Sequence, residues 1–328
     1  MLKSLTFILV LAGFLFFSSQ HASAEVDVSN YFSYTYNSIT GPGKDQSSLT
    51  DGFRYLNLVN LTGRGELGDF RYYFNLGSQF TDDERKDPQT FLLTNLTLQI
   101  SNDIHTLILG DTFQAFSQYA LSTSLKGGSY RFFSENLNLP EVTFIYGFAN
   151  PRWDNFNGFG ESHIETIERE VLGTKVQYSL TDDLRAGFSI VRTNDSDRIN
   201  PADELYDIDS YTLDWEYNPI PGLTIDGESS FADTTLSPDS TSSDVEMDGY
   251  ANRITAIGDG GPSRVTLEYE RISPEYKTVV GSATSDREKV KMKWRYKYDR
   301  LNTVTSQFLW YRNNLDGIRT RPARNTLD

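Results

Sequence analysis

Strict alternation of basic and apolar side chains over ten residues is the feature that most constrains this chain. Residues 289–298 read KVKMKWRYKY, with a basic side chain at every odd position and an apolar or aromatic one at every even position. A β-strand sends successive side chains to opposite faces, whereas a helix would spread both kinds around its axis. The stretch therefore predicts a strand with one charged face and one apolar face.

Two environments suit such a strand. A soluble antiparallel sheet packs its apolar face on a core and leaves the other face in water. A membrane β-barrel turns the apolar face to lipid and the charged face to a hydrated lumen, so its wall needs apolar residues only at alternate positions. The composition fits both, because 38% of residues are hydrophobic, 13% are aromatic and the mean hydropathy is −0.46.

The N-terminus predicts a secretory signal peptide over residues 1–24. Lys3 precedes an uncharged apolar run at 5–17, and Ala22-Ser23-Ala24 supplies the small residues of a cleavage site. The apolar run is shorter than the roughly 20 residues that a spanning helix needs. We therefore expect residues 25–328 to be the mature chain and to form a single β-barrel domain.

Cysteine content and charge exclude several classes of function. The chain has no cysteine, which excludes disulfides, thiolate metal sites and a lipid-modified N-terminal cysteine. Its formal net charge is −15, which disfavours a general nucleic-acid binder. We expect no nucleic-acid partner.

Alternating segments of about ten residues recur along nearly the whole chain, and we count roughly fifteen. Clear examples lie at 70–76, 142–148, 211–217 and 265–269. This is the length that a tilted membrane-spanning strand requires.

The connections between these segments alternate in length. Short links rich in Gly, Pro, Asp and Asn lie at 65–69, 101–103, 181–183, 219–222, 259–262 and 299–302. Long polar links lie at 41–52, 81–90, 150–166, 194–209, 233–248 and 273–287. Short turns on one side and long loops on the other are typical of bacterial outer-membrane barrels.

The leader, the amphipathic strands, the aromatic-rich faces and the loop asymmetry together resemble the porin-like outer-membrane β-barrels of Gram-negative bacteria. The resemblance covers the mature chain as architecture and includes no fingerprint motif. It implies an all-β fold, an antiparallel transmembrane β-barrel of about 16 strands or more, and a cell outer-membrane location. It also implies a channel for passive diffusion of small hydrophilic solutes, with outer-membrane lipid and lipopolysaccharide as surroundings. A homo-oligomer and an exported partner protein stay open.

The number of strands, odd or even, determines how the end of the chain is interpreted. The last alternating segment ends at Trp310, and residues 315–328 would then form an unfinished external loop. Bacterial single-chain barrels have even strand numbers. Either one strand escapes the pattern or the chain lacks its closing strand, and we expect the second.

If the apolar faces meet lipid, the opposite faces line the lumen. On that basis the predicted lumen-lining residues are Arg71, Asp214, Glu216, Asp226, Glu228, Glu268, Glu270, Lys289, Lys291, Lys293, Arg295 and Lys297. Adjacent antiparallel strands place opposite side chains about 5 Å apart. The charges could create a transverse field that sorts solutes, or they could form ordinary cross-strand ion pairs that keep the wall rigid.

The third external connection, residues 111–126, is less polar than the others. In the general porins that this architecture resembles, the third external loop folds into the barrel and narrows it. The resemblance thus implies that Asp111, Gln114, Gln118 and Lys126 line a constriction. The alternative is a lid or two strand ends that stand above the membrane.

The sequence predicts no enzyme, no cofactor and no metal site. The mature chain has two histidines, His105 and His163, and neither has a nucleophile nearby in sequence. Besides a channel, we consider a structural or interaction barrel that presents its long loops, and a barrel that sheathes an exported partner protein.

Overall fold

The computed structural model describes residues 24–84, 86–87, 90–133, 139–149, 152–153, 166–196, 199–315, 317 and 325–327. The predicted leader lies outside these residues except for Ala24, which begins the first strand. Across the described residues, no helix is long and apolar enough to cross a membrane. One 3₁₀ turn, Lys44–Gln46, lies in the first connection.

Sixteen β-strands make up the regular structure of the described residues. The first eight are β1 Ala24–Asn37, β2 Gly52–Leu67, β3 Phe70–Thr81, β4 Phe91–Ser101, β5 His105–Ser117, β6 Leu121–Phe132, β7 Glu141–Phe148 and β8 Arg169–Ser179. The others are β9 Leu184–Asp195, β10 Leu205–Ile220, β11 Leu223–Ser237, β12 Val245–Gly260, β13 Ser263–Ile272, β14 Arg287–Lys297, β15 Thr303–Asn313 and β16 Asn325–Leu327.

The strands follow one another in the sheet in chain order. The chain divides into two compact units. Unit 1 comprises Met1–Thr112, Ser124–Tyr130 and Phe148–Glu168, and unit 2 comprises Phe113–Thr123, Arg131–Gly147 and Arg169–Asp328. The prediction of an all-β chain with about sixteen antiparallel strands is confirmed.

Unit 1 contains the long antiparallel pairs of β1 to β4. β1 pairs with β2 along its whole length, from Ala24 opposite Gly65 to Asn37 opposite Gly52. The register of β3 against β4 shifts between Gly77 and Ser78, where a bulge adds one residue to the ladder.

Unit 2 contains the strand with alternating basic and apolar residues. β14 covers most of the alternating stretch and pairs antiparallel with β13, so that Glu268 faces Lys291 and Glu270 faces Lys289. On its other side β14 pairs with β15, where Gln307 faces Lys293. The prediction of a strand with a charged face and an apolar face is confirmed.

The apolar alternate positions of these strands are exposed. In unit 2, nine side chains between 38% and 50% exposed form this face: Tyr211, Leu213, Phe231, Tyr250, Ile254, Leu267, Tyr269, Met292 and Phe308. Soluble proteins rarely expose so much contiguous apolar surface. A hydrocarbon environment suits this face.

Two aromatic rings on the apolar face lie over glycines of the neighbouring strand. The Phe74 ring occupies the space that a Cβ on Gly63 would need in unit 1, and the Trp215 ring does the same at Gly227 in unit 2. A glycine within a strand leaves a gap that an adjacent aromatic ring can fill. These pairs fix the cross-strand register where the glycines would otherwise weaken it.

Most connections have the predicted lengths, and one prediction was wrong. The links at 68–69, 102–104, 180–183, 221–222, 261–262 and 298–302 are short, and those at 38–51, 82–90, 196–204, 238–244 and 273–286 are longer. Residues 111–126, however, do not form a loop, because β5 continues to Ser117 and β6 begins at Leu121. The stretch contains no Pro and no Gly, so the two strands extend into it from both sides. This agrees with the alternative of two strand ends.

The end of the chain contains one strand more than the alternating pattern indicates. β16 is three residues long and pairs with β15 from Trp310 opposite Leu327 to Arg312 opposite Asn325. The prediction that 315–328 is loop throughout was therefore wrong at 325–327. That a closing strand is missing stays a prediction.

Candidate functional site

The side of β8–β14 opposite the exposed apolar side chains carries most of the predicted site residues, and we call it the polar face. The elements that position it are the strands themselves, because every second residue of each strand points to this side. All of its members described here belong to unit 2.

A cavity of about 190 Å³ lies on the polar face at β9–β12. Its charged lining consists of Arg185, Asp214, Glu216, Asp226, Glu228 and Arg253, and Phe116 adds an aromatic wall. Carboxylates outnumber guanidinium groups here, so the cavity favours positive charge.

The carboxylates of this cavity differ in how far they are neutralised. Asp214 Oδ1 accepts a hydrogen bond from Lys175 Nζ at 3.0 Å. Asp226 lies 3.8 Å from Arg253. Glu216 accepts a hydrogen bond from Asn218 Nδ2 at 2.9 Å, and within the described part of the chain no cation lies within 4.0 Å of it. Glu216 therefore keeps its charge available to a solute.

Glu228 binds the turn between β5 and β6, which we call the β5–β6 tip (residues 117–121). Its Oε1 accepts hydrogen bonds from Ser117 Oγ at 2.6 Å and from the Tyr119 N–H at 3.1 Å. Its Oε2 accepts one from the Gln118 N–H at 3.4 Å. Arg253 donates to Gln118 Oε1 at 2.6 Å and adds a second attachment. The tip is thus held by side chains of β11 and β12.

The tip also contacts the connection between β13 and β14. Ser122 donates its N–H to the carbonyl of Val280 at 2.8 Å, and Ser282 donates to the carbonyl of Gln118 at 2.7 Å. Beneath this contact lies an apolar cluster on the polar face, consisting of Tyr119, Ile208, Ala232, Ala251, Ile272 and Tyr276. Part of the polar face is therefore dry.

Two phenols of this cluster are strongly shielded from water. Burial raises the pKa of Tyr276 to about 12. Burial also raises the pKa of Tyr119 above its usual range, and the negative charges of Glu270 and Glu228 raise it further. Tyr276 Oη lies 3.0 Å from Ser230 Oγ, so its polar end has a partner. Both phenols stay neutral at ordinary pH.

The basic strand β14 is paired at one end only. Lys289 bonds Glu268 Oε1 at 2.6 Å and also contacts Glu270, which Arg287 approaches at 3.8 Å. The remaining basic residues of the strand form no ion pair with the described residues: Lys291, Lys293, Arg295 and Lys297. Cross-strand pairing thus neutralises the buried end of the row and leaves the rest positive.

In unit 1, Asp111 is the centre of a separate polar cluster. Its Oδ1 accepts a hydrogen bond from Lys126 Nζ at 2.6 Å, and its Oδ2 accepts from the Leu96 N–H at 2.7 Å and from Trp153 Nε1 at 2.9 Å. The Lys126 ammonium also lies 4.9 Å from the centre of the Trp153 ring. The Lys126 side chain is only 7% exposed, so this ion pair is largely shielded from water.

Of the other residues singled out from sequence, Arg71 is well exposed and His105 is partly exposed. Arg71 lies 3.6 Å from Asp103, and both side chains are well exposed. His105 Nδ1 lies 2.8 Å from Tyr130 Oη, and His163 lies outside the described residues. Among the described residues, no group of three or more His, Asp or Glu side chains is placed to hold a metal ion.

The structure thus groups the predicted residues in a way the sequence did not indicate. Asp214, Glu216, Asp226 and Glu228 share one cavity. Asp111 and Lys126 pair with each other, and Gln118 lies in the tip. That these residues and Gln114 line a constriction stays a prediction. Sequence reasoning missed Lys175, Arg253, Ser117, Trp153 and Tyr276, because their partners are distant in sequence and no local pattern marks them.

No protein-family model and no curated protein sequence matches the chain. Among solved structures, the crystal structure of Pseudomonas aeruginosa OccK8 (OprE) matches with a TM-score of 0.52 at 8% identity, over 94% of this chain and 88% of that chain. An anion-selective porin from Comamonas acidovorans matches with a TM-score of 0.47 at 15% identity, over 89% and 90%. Pseudomonas aeruginosa OpdL matches with a TM-score of 0.48 at 13% identity, over 93% and 85%.

The match to OccK8 covers nearly the whole of both chains with a TM-score above 0.5, and it concerns the fold alone at this identity. The fold of the chain is that of the porin-like outer-membrane β-barrels. The resemblance stated from the sequence is confirmed at this level.

Proposed function

We propose that this chain is a porin-like channel of the outer membrane through which small hydrophilic solutes diffuse passively. The observation that carries the proposal is the opposition of two faces along unit 2, one apolar and exposed, the other charged. Lipid suits the first face and enclosed water suits the second. The porin-like fold supports the same assignment.

Within this proposal, the charges that act on solutes are those without strong partners. They are the cations of β14 beyond Lys289, together with Glu216 and Asp226 at the cavity. Positive and negative groups on different strands create a field across the passage, which orients dipolar solutes. Arg71, in unit 1, is an exposed cation that the sequence also predicts to line a lumen.

Planar-bilayer recording tests the proposal. The purified chain should form discrete conducting events, and a salt gradient should give a reversal potential. The double substitution Lys291→Glu and Lys293→Glu should raise the cation-to-anion permeability ratio at least about threefold, since several unit charges act at roughly 7 Å through partly screened water. Arg300→Glu, a single charge reversal in the exposed 298–302 turn, is the control and should change the ratio little.

A purified chain that inserts into lipid but never conducts would contradict the proposal. Unchanged selectivity in the Lys291→Glu, Lys293→Glu variant would contradict the assignment of β14 to the passage.

The apolar cluster under the β5–β6 tip favours one alternative. If side chains fill the interior, the chain is a structural or interaction barrel that presents surface loops or sheathes an exported partner. That alternative predicts the absence of conductance together with copurification of a periplasmic or surface protein. Outer-membrane lipid and lipopolysaccharide would surround the barrel in either case, and both outcomes are compatible with a homo-oligomer.

A further inference from the structure

We infer that Glu228 is a positioning residue that sets the width of the passage by seating the β5–β6 tip, and that its charge does not select solutes. The inference rests on the proposed function for the meaning of width. It separates Glu228 from Glu216 and Asp226, although all three line one cavity.

The contacts of Glu228 are made with the tip and with Arg253, whose Nη2 lies 3.6 Å from Glu228 Oε2. Its side chain is 5% exposed, and both of its oxygens accept hydrogen bonds from residues 117–119. These residues are separated from Glu228 by 109 to 111 positions in sequence. The ion pair with Arg253 offsets the charge of this buried carboxylate, so the carboxylate presents little net charge to a passing solute.

Ser117 completes the seat from the other side. Its hydroxyl donates to Glu228 and accepts hydrogen bonds from the N–H groups of Tyr119 at 3.0 Å and Ala120 at 2.8 Å. An oxygen–oxygen contact of 2.6 Å therefore joins the hydroxyl that organises the turn to β11, beside the N–H hydrogen bonds of Gln118 and Tyr119 to the same carboxylate. Loss of either partner leaves buried donors of the tip without acceptors.

The position of the tip fixes the wall of the cavity. Phe116, which precedes the tip, lines the cavity, and its carbonyl accepts a hydrogen bond from Lys175 Nζ. The far side of the tip packs on Tyr276 and on the backbone of residues 280–282. A tip released from Glu228 would therefore change the free cross-section next to Glu216 and Asp226.

Two substitutions distinguish the positioning role of Glu228 from an effect of its charge. Ser117→Ala breaks the seat and changes no charge. Glu228→Gln removes the charge but keeps an oxygen in place of Oε1. The matched control is Glu216→Gln, the same chemical change on the neighbouring strand at a carboxylate that no described cation neutralises.

Conductance and reversal potential give the first readout. Ser117→Ala should change the single-channel conductance and leave the reversal potential at the parent value. Glu216→Gln should shift the reversal potential toward anions with the conductance little changed. Glu228→Gln should shift the reversal potential less than Glu216→Gln does, because Arg253 keeps Asp226 as a partner at 3.8 Å.

A thiol probe gives a second readout that needs no conduction. The native chain has no cysteine, so Val280→Cys introduces a unique thiol at a side chain that is 4% exposed beside the tip. A charged, water-soluble methanethiosulfonate should modify it slowly in the parent and in Glu216→Gln. Ser117→Ala should accelerate the reaction about tenfold or more, since local opening governs access. Glu228→Ala serves as a second unseating variant if Ser117→Ala does not fold.

The inference is overturned if Ser117→Ala and Glu228→Ala leave the thiol as slow as in the parent, or if Glu228→Gln shifts the reversal potential as far as Glu216→Gln does. A parent that never conducts refutes the proposed function, whereas the thiol rates still decide whether Glu228 seats the tip.

Discussion

Neutralising Asp111 should destabilise the protein far more than its position in a barrel strand suggests. Asp111→Asn keeps an oxygen for the Leu96 and Trp153 N–H donors but removes the partner of Lys126. Lys126 is 7% exposed, so the substitution leaves a buried ammonium unpaired. Leaving a buried charge without its ion-pair partner lowers the free energy of unfolding by about 3–5 kcal/mol. Because Asp111 is partly exposed, we expect a loss of about 3 kcal/mol.

Replacing the other partner of the ion pair should lower the free energy of unfolding by less. Lys126→Met removes the buried charge and leaves Asp111 with two N–H donors and 29% exposure, so we expect a loss of about 1 kcal/mol. The double variant strands no charge, and we expect it to lose about 1 kcal/mol as well. The coupling energy between the two sites should therefore be about 3 kcal/mol.

Urea unfolding of the protein in lipid vesicles, followed by tryptophan fluorescence, measures these free energies. The control is Glu25→Gln, which breaks the Arg64–Glu25 pair at the same distance of 2.6 Å on an exposed surface of unit 1. It should leave the unfolding midpoint unchanged, because exposed ion pairs contribute little. If the losses of Asp111→Asn and Lys126→Met simply add in the double variant, the reasoning about a stranded ammonium is refuted.

Three further predictions concern packing and pH. Gly227→Ala should cost about 1–3 kcal/mol and alter tryptophan fluorescence, because the new Cβ would displace the Trp215 ring, whereas Gly258→Ala meets open space and should be neutral in the same unfolding assay. Burial raises the pKa of Tyr276 from 10.0 to about 12, so the stabilisation that this phenol contributes is complete below pH 10 and is lost as the pH rises toward 12. The ultraviolet difference spectrum between the parent and Tyr276→Phe should show the phenolate of Tyr276 appearing near pH 12. Hydrogen bonds from hydroxyl and N–H groups of its own loop hold the pKa of Asp239 below 3.8, so its contribution is present above that pH and is lost only under stronger acid, and an NMR titration with a midpoint at or above 3.8 would contradict this.

Local periodicity explains what could be predicted about the fold. Alternation with a period of two is a property of neighbouring residues, and it identified β14 and its two faces before any partner strand was known. Turn residues such as those at 221–222 and 261–262 likewise act locally, so the bounds of the short links were predicted to within three residues. The sequence did not predict that residues 118–120 form a tight turn, because this turn depends on contacts with Glu228 and with residues 280–282.

The sequence predicted which charged residues belong to the candidate site, but it did not predict how they are arranged. Strand phase placed Glu216, Asp226 and Glu228 on one face, and the structure puts all three on one cavity. Strand phase alone does not show that Glu228 is buried against the tip while Glu216 stays exposed. Nor could it assign Arg253, which lies in a segment with no clear alternation and contacts Gln118 at a separation of 135 residues.

The sequence by itself determined that this chain forms amphipathic strands joined by short and long links, because the alternation of side chains and the chemistry of turns are local. Only the tertiary structure decided which charges are neutralised. Among the described residues, Lys289 has an ion-pair partner and Lys293 has none, and Glu228 holds a turn while Glu216 remains exposed. The physical reason is that electrostatic and hydrogen-bond partners are chosen by distance in space, and the fold brings together groups that lie more than a hundred residues apart.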